Sequence, residues 1–195
     1  IHSGEVVGTL GPSGSGKTTV AFTFLKNYEY EEIVNDKGKT VGYKISVPDL
    51  KNPIYLIGPY KTVCSGCDQI PTQQEAADRA VHYHQSGHVL MEGLLASAAG
   101  PAGAVTKTIQ ETGEAVFAIM DTPCEVCLER VQARRAARGD ERPFNPKNTK
   151  DKWTQTRSTA SALFKLGYDV RSIDHTQAFE DVLQIFREAE ENELR

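Results

Sequence analysis

Residues Gly11-Pro12-Ser13-Gly14-Ser15-Gly16-Lys17-Thr18 follow the spacing G-x-x-x-x-G-K-[ST]. Ahead of them stands a short apolar run, Val6-Val7-Gly8-Thr9-Leu10, rich in strand formers. Behind them, Thr19-Val20-Ala21-Phe22-Thr23-Phe24-Leu25 can wind as a helix with one apolar face. Strand, glycine loop and helix in that order are the setting in which this spacing makes a P-loop. Glycines let backbone N–H groups turn inward around a phosphate, and the helix N-terminus adds the positive end of its dipole. Lys17 is then placed to reach the β- and γ-phosphates, and the Thr18 hydroxyl to ligate Mg²⁺. The expected ligands are ATP and Mg²⁺, held by Gly11, Pro12, Ser13, Gly14, Ser15, Gly16, Lys17, Thr18 and Thr19.

The rest of the chain alternates strand and helix patterns, which implies an α/β fold with a parallel sheet between helical layers. Strands are expected over 5–10, 54–57, 89–91, 116–120 and 168–173, and helices over 17–27, 105–111, 123–138 and 150–166. The Thr72-Gln73-Gln74-Glu75 capping box opens another helix, running to about residue 85. Phe179, Val182, Leu183, Ile185 and Phe186 mark the apolar face of a last one. Alternation on both sides of Asp36-Lys37-Gly38 predicts a β-hairpin inserted at the sheet edge. A length of 195 residues fits one domain, with a helical lid over about 123–150. No run of 18 or more apolar residues occurs, so no membrane partner is expected. No basic-then-apolar leader pattern is present at the N-terminus, and a cytoplasmic setting with reduced cysteines is expected.

In open α/β sheets, ligands sit beyond the carboxyl ends of the strands. That rule selects the P-loop, the loop over 58–68, Glu92, Asp121 and the pair Asp174-His175. Glu92 is expected beside Mg²⁺ and its waters. Asp121 either joins the site or caps the next helix. Asp68 is the candidate base that orients an acceptor hydroxyl and takes its proton. Asp36 is a rival, but a hairpin turn suits Asp for local reasons.

Net charge is −4, which argues mildly against whole-surface nucleic-acid binding. Charge is uneven, however: residues 130–157 hold nine Lys/Arg against three Asp/Glu. Arg130, Arg134 and Arg138 are four apart and share a helical face. The planar guanidinium suits phosphate oxygens, so this face is expected to close over the transferred group. Trp153 lies inside the same segment and is either a base-stacking ring or a core anchor. Cys64-x-x-Cys67 and Cys124-x-x-Cys127 permit a zinc site in principle, but their long separation and the apolar setting of Cys127 favour free thiols.

These motifs resemble the P-loop kinases of small molecules, nucleotides and nucleic-acid ends, and the resemblance covers most of the chain. Within them, Gly58-Pro59-Tyr60, Cys64-Ser65-Gly66-Cys67-Asp68 and His88-Val89-Leu90-Met91-Glu92-Gly93-Leu94-Leu95 resemble the bacteriophage 5-hydroxymethyluracil DNA kinases. The resemblance implies a three-layer P-loop kinase fold with an Arg-rich helical lid. It also implies transfer of phosphate from ATP to the hydroxymethyl group of a thymine analogue in DNA, in the cytoplasm of a phage host. Asp68 is then the base, Lys17, Thr18 and Glu92 hold ATP–Mg²⁺, and Arg130, Arg134 and Arg138 act on the phosphates. The alternatives are a kinase of a free nucleotide or small metabolite, and a transporter-type ATPase. The second is suggested by Ser3-Gly4-Glu5-Val6-Val7-Gly8, but the chain has no L-S-G-G-Q signature.

Overall fold

The computed structural model describes residues 4–62, 66–93, 103, 106, 111–113 and 115–192. The predicted order of elements is met. Strand β1 (Val6–Leu10) leads through the glycine loop into helix α1 (Lys17–Asn27). Strands β2 (Glu29–Val34) and β3 (Thr40–Ser46) follow as a hairpin, then β4 (Ile54–Ile57), a 3₁₀ turn at Gly66–Gln69 and α2 (Gln73–His84). The chain continues through β5 (His88–Glu92), β6 (Ala115–Asp121), α3 (Cys124–Ala136), α4 (Lys147–Lys165), β7 (Asp169–Asp174) and α5 (Ala178–Asn192). The helix expected over 105–111 lies largely outside the described residues.

The seven strands form one sheet in the order β2-β3-β4-β5-β1-β6-β7. Strands β4, β5, β1, β6 and β7 are mutually parallel, and the antiparallel pairings are those of β3 with β2 and β4. The inserted hairpin is therefore an edge addition to a parallel core, as its sequence indicates. Its turn is closed by the Asn35 side chain, whose Oδ1 accepts from the N–H groups of Lys37 and Lys39, both at 3.0 Å. This is the local hydrogen bonding that makes Asn a turn residue.

Strand β1 is central and fully buried, with β5 on one side and β6 on the other. The chain moves out to one side of β1 first and crosses to the other afterwards. The crevice above the carboxyl end of β1 is thus a topological switch point, where such sheets bind ligands. Side-chain alternation sends Val7 to one face and Val6 and Leu10 to the other. The first face packs on α1 and α5 through Val20, Phe24, Val182 and Phe186. The second packs on α2 and α4 through Ala76, Ala80 and Leu163. Three layers result.

Helix starts follow their sequence signals unevenly. Thr72 caps α2 by accepting the Glu75 N–H at 3.1 Å, as the capping box predicts. Helix α4 begins three residues earlier than the sequence pattern suggests, directly after Pro146, a residue whose fixed φ suits a helix start. The acidic residues Glu188, Glu190 and Glu191 lie on α5, which runs to Asn192. Glu190 is buried there and accepts the N–H groups of Lys51 and Asn52, each at 2.8 Å.

Candidate active site

The loop after β1 is shaped by glycines in the left-handed region, Gly14 at φ 82° and Gly16 at φ 102°. Gly14 is also required by packing. A Cβ there would stand 2.4 Å from the Cys127 carbonyl oxygen, so α3 rests directly on the loop. Two hydrogen bonds fasten it further. Thr122 Oγ1 donates to the Ser15 carbonyl at 2.8 Å, and Arg130 Nη1 donates to the Gly14 carbonyl at 3.2 Å. Lys17 Nζ donates to the Gly11 carbonyl at 2.7 Å and the Pro12 carbonyl at 3.0 Å, and lies 3.4 Å from Ser15 Oγ. Burial pulls the Lys17 ammonium below its ordinary pKa, against the opposing pull of the Glu92 and Asp68 carboxylates.

Thr18 begins the other half. Its Oγ1 donates to Glu92 Oε1 at 2.7 Å, joining α1 to the carboxyl end of β5. The Tyr60 hydroxyl donates to Glu92 Oε2 at 3.0 Å, and the Tyr60 N–H is held by the Tyr43 hydroxyl at 3.1 Å. Glu92 is only 3 % exposed, and burial raises its carboxyl above the ordinary value although Thr18, Lys17 and Tyr60 oppose the shift. Gly66 makes this approach feasible. At φ 74°, a Cβ on it would stand 2.2 Å from Glu92 Oε2. Asp68 follows two residues later, on the 3₁₀ turn, with its carboxylate about one atom's contact from where a Gly93 Cβ would be, at 3.2 Å. Partial desolvation raises the Asp68 carboxyl and the Lys17 charge opposes it.

One cavity of about 790 Å³ gathers these groups. Of the residues singled out by sequence, Ser13, Gly14, Gly16, Lys17, Thr18, Thr19, Asp68, Glu92, Arg130, Arg134 and Arg138 line it. Gly11, Pro12 and Ser15 do not line it and instead hold the Lys17 ammonium from below. His175 lines its far wall, next to the start of α5. Asp36 sits at the exposed hairpin tip and takes no part.

Asp121 neither lines this cavity nor caps α3. It pairs with Arg157 at 3.0 Å, and the Arg157 guanidinium lies 3.5 Å from the Trp153 ring centroid. Trp153 Nε1 donates to the Thr122 carbonyl at 2.9 Å. Trp153 is therefore an anchor that braces the residue fastening the P-loop. Cys67 and Cys127 are buried free thiols, and burial pushes Cys67 up to about 12. Cys64, the fourth cysteine of the zinc pattern, lies outside the described residues. Among those described, no cluster of three or more His, Cys, Asp or Glu is spaced to hold a metal. Sequence reasoning assigned no role to Thr122, which directly follows β6, and none to Tyr60 individually, although Tyr60 lies in the selected 58–68 loop and in the Gly58-Pro59-Tyr60 motif.

A parallel sheet with a P-loop at its switch point, a carboxylate on the neighbouring strand and an arginine helix over the loop defines a P-loop kinase. No family model matches the chain. A 5-hmdU DNA kinase of Pseudomonas phage PaMx11 is 33% identical over 185 residues, covering 93% of this chain and 96% of that protein. A 5-hmdU DNA kinase of Pseudomonas phage M6 is 27% identical over 195 residues, covering 91% and 95%. Among solved structures, deoxyadenosine kinase from M. mycoides with bound dATP aligns over 93% of this chain and 99% of its own, with a TM-score of 0.43 and 13% identity. The chain belongs to the family of the phage 5-hmdU DNA kinases.

Proposed function

We propose that this protein transfers the γ-phosphoryl group of ATP to the hydroxymethyl oxygen of 5-hydroxymethyluracil in DNA. The observation that carries the reading is the convergence of Lys17, Asp68, Glu92 and the Arg130–Arg134–Arg138 face on one cavity. The names of the relatives supply the acceptor. A free nucleotide or metabolite acceptor is the alternative that the relatives do not favour.

The residues fit a nucleotide with Mg²⁺. Mg²⁺ is held by one or two carboxylates or hydroxyls plus phosphates and water, rather than by an all-protein cage. The Thr18 hydroxyl and Glu92 carboxylate, 2.7 Å apart, are such a pair. When bound, the ion neutralises charge on the β- and γ-oxygens. The side chains do the rest. Lys17 exchanges the Gly11 and Pro12 carbonyls for phosphate oxygens. The arginines stabilise the charge that spreads over the group in flight. Asp68 accepts the proton of the acceptor hydroxyl as its oxygen bonds to the γ-phosphorus and the bond to ADP breaks. The products are a phosphate monoester on the base and ADP.

A base inside a duplex cannot reach such a cavity, so the target nucleotide enters extruded or from a single strand. Phe22 suits it. The ring is 41% exposed, one helical turn from Thr18, and edge-on to Tyr60 at 5.7 Å between centroids. It offers a stacking surface next to Tyr60, the residue bonded to Glu92. Residues 1–195 act as one domain, with 123–150 as the lid, in the host cytoplasm. No helix among the described residues is long and apolar enough to cross a membrane.

The test is transfer of label from γ-labelled ATP to three acceptors: a 5-hydroxymethyluracil oligonucleotide, its thymine counterpart and free 5-hydroxymethyl-deoxyuridine monophosphate. Label in the first alone supports the reading. Label confined to the free nucleotide, or ATP hydrolysis without transfer, rejects it.

A further inference from the structure

A second cavity, of about 750 Å³, opens between the β2–β3 hairpin and the loop that carries Asp68. It is joined to the nucleotide cavity through Gln69, which lines both. Four cations border it: Lys37 and Lys39 at the hairpin turn, Lys61, and Arg79 on α2. Their situations differ. Arg79 is committed to the fold, donating to the Val41 carbonyl at 3.3 Å and pairing with Glu75. Lys61 pairs with Glu32 at 2.8 Å, but both side chains are exposed, and such surface pairs are weak enough to exchange for another anion. Lys37 and Lys39 are exposed, and their ammonium groups have no partner among the described residues. Asp36, directly before Lys37 in the turn, is the one acidic lining residue without a cation of its own.

The lysine-and-arginine segment over 130–157 is differently occupied. Arg135 and Arg142 serve Asp140, Lys147 serves Asp151, and Arg157 serves Asp121. Arg130, Arg134 and Arg138 face the nucleotide cavity. Lys150 and Lys152 of that segment lie on α4 and line neither cavity, whereas Lys37, Lys39 and Lys61 border a cavity that meets the nucleotide site.

We propose that this groove binds the phosphodiester backbone of single-stranded DNA, with Lys37, Lys39 and Lys61 contacting phosphates that flank the target nucleotide. The proposal rests on the kinase reading for its acceptor. The strand enters along the hairpin and passes Gln69, which brings one base to Asp68 while ATP occupies the other cavity. A hairpin inserted at the edge of a kinase sheet thereby gains a purpose: it supplies a wall that a free nucleotide does not need.

The test is a salt titration of binding, read by anisotropy with a labelled single-stranded 5-hydroxymethyluracil oligonucleotide. Each phosphate contact contributes about 0.7 to the slope of log K against log salt. Removing two in Lys37→Ala/Lys39→Ala lowers the slope by about 1.4 and weakens binding about 25-fold at ~0.1 M salt. The KM for ATP is unchanged, and Lys26→Ala/Lys165→Ala, two exposed lysines on α1 and α4, leaves the slope as in wild type. Both Lys37 and Lys39 are exposed turn residues, so folding is preserved, and circular dichroism checks it. An unchanged slope overturns the groove even if the wild type phosphorylates the oligonucleotide, as does wild-type protein that fails to bind it. Absence of phosphate transfer by a wild type that does bind overturns the kinase reading instead, and a lowered slope still supports the groove.

Discussion

On the side proposed for ATP, the cleft is built chiefly on one local stretch of chain, the glycine loop and the first turn of α1, with α3 resting on it at Gly14 and its arginines facing in. Around Asp68, it is made from pieces: Thr18 of α1, Asp68 and Gln69 of the 3₁₀ turn and Glu92 at the end of β5, with Tyr60 bonded to Glu92 and Phe22 packed on Tyr60. The first half works largely through backbone groups, whose chemistry does not depend on which side chains are present. The second works through side chains that meet only once the sheet has formed. The donor half therefore suits any kinase that uses ATP, and the acceptor half is where one substrate is distinguished from another. Their meeting point is Glu92, tied to the donor helix by Thr18 and to the acceptor loop by Tyr60.

Substitutions can break this division in order of effect. Lys17→Ala removes the only ammonium seated in the P-loop, and transfer is expected to fall on the order of 10³-fold or more; retained turnover in a labelled-ATP assay contradicts the donor half as described. Gly66→Ala forces a Cβ onto Glu92 at a positive φ, with an expected cost of about 1–3 kcal/mol. A melting curve several degrees lower checks it, at roughly 2–4 °C per kcal/mol for a chain of this size. Phe22→Ala is expected to raise the KM for DNA by about tenfold, the scale of one lost base stack, with the KM for ATP unchanged. Equal loss in both KM values would place Phe22 on the donor side. Tyr60→Phe leaves Glu92 Oε2 short of a donor and is expected to lower kcat about three- to tenfold, the scale of one net hydrogen bond.

The division also has a pH signature. Burial raises the carboxyls of both Glu92 and Asp68, so the folded state holds their protons more tightly than the unfolded chain does. Their contribution to stability is complete below the unfolded carboxylate pKa and is lost as pH rises through the folded values. Glu92→Gln is accordingly expected to melt higher than wild type at neutral pH while losing phosphate transfer. Stability is given up there to keep a charged group where the proposed mechanism needs one.

The contrast between the two halves also explains what could be read from the sequence. The P-loop and the β-α order are local patterns, and so is the hairpin with its Asn35–Gly38 turn. Arg130, Arg134 and Arg138 were legible because residues four apart must share a face. The role of Tyr60 was not, although its motif was, because its bond to Glu92 spans 32 residues and nothing near it in the chain announces that partner. Asp121 was misread as a possible cap because Arg157 is 36 residues away. Trp153 was open between base stacking and anchoring until its N–H was seen on Thr122.

The most direct test of the two-sided cleft is Asp68→Asn, assayed for ATP affinity by calorimetry and for phosphate transfer in single turnover across pH. Wild type is expected to lose activity on its acid side above the ordinary carboxylate range, because the Asp68 carboxyl is raised. In the variant, ATP affinity stays within about threefold, transfer falls roughly 10²- to 10⁴-fold, and that acid limb is gone. A collapse of ATP affinity, or an acid limb that persists with near-normal transfer, contradicts the assignment of Asp68 to the acceptor half.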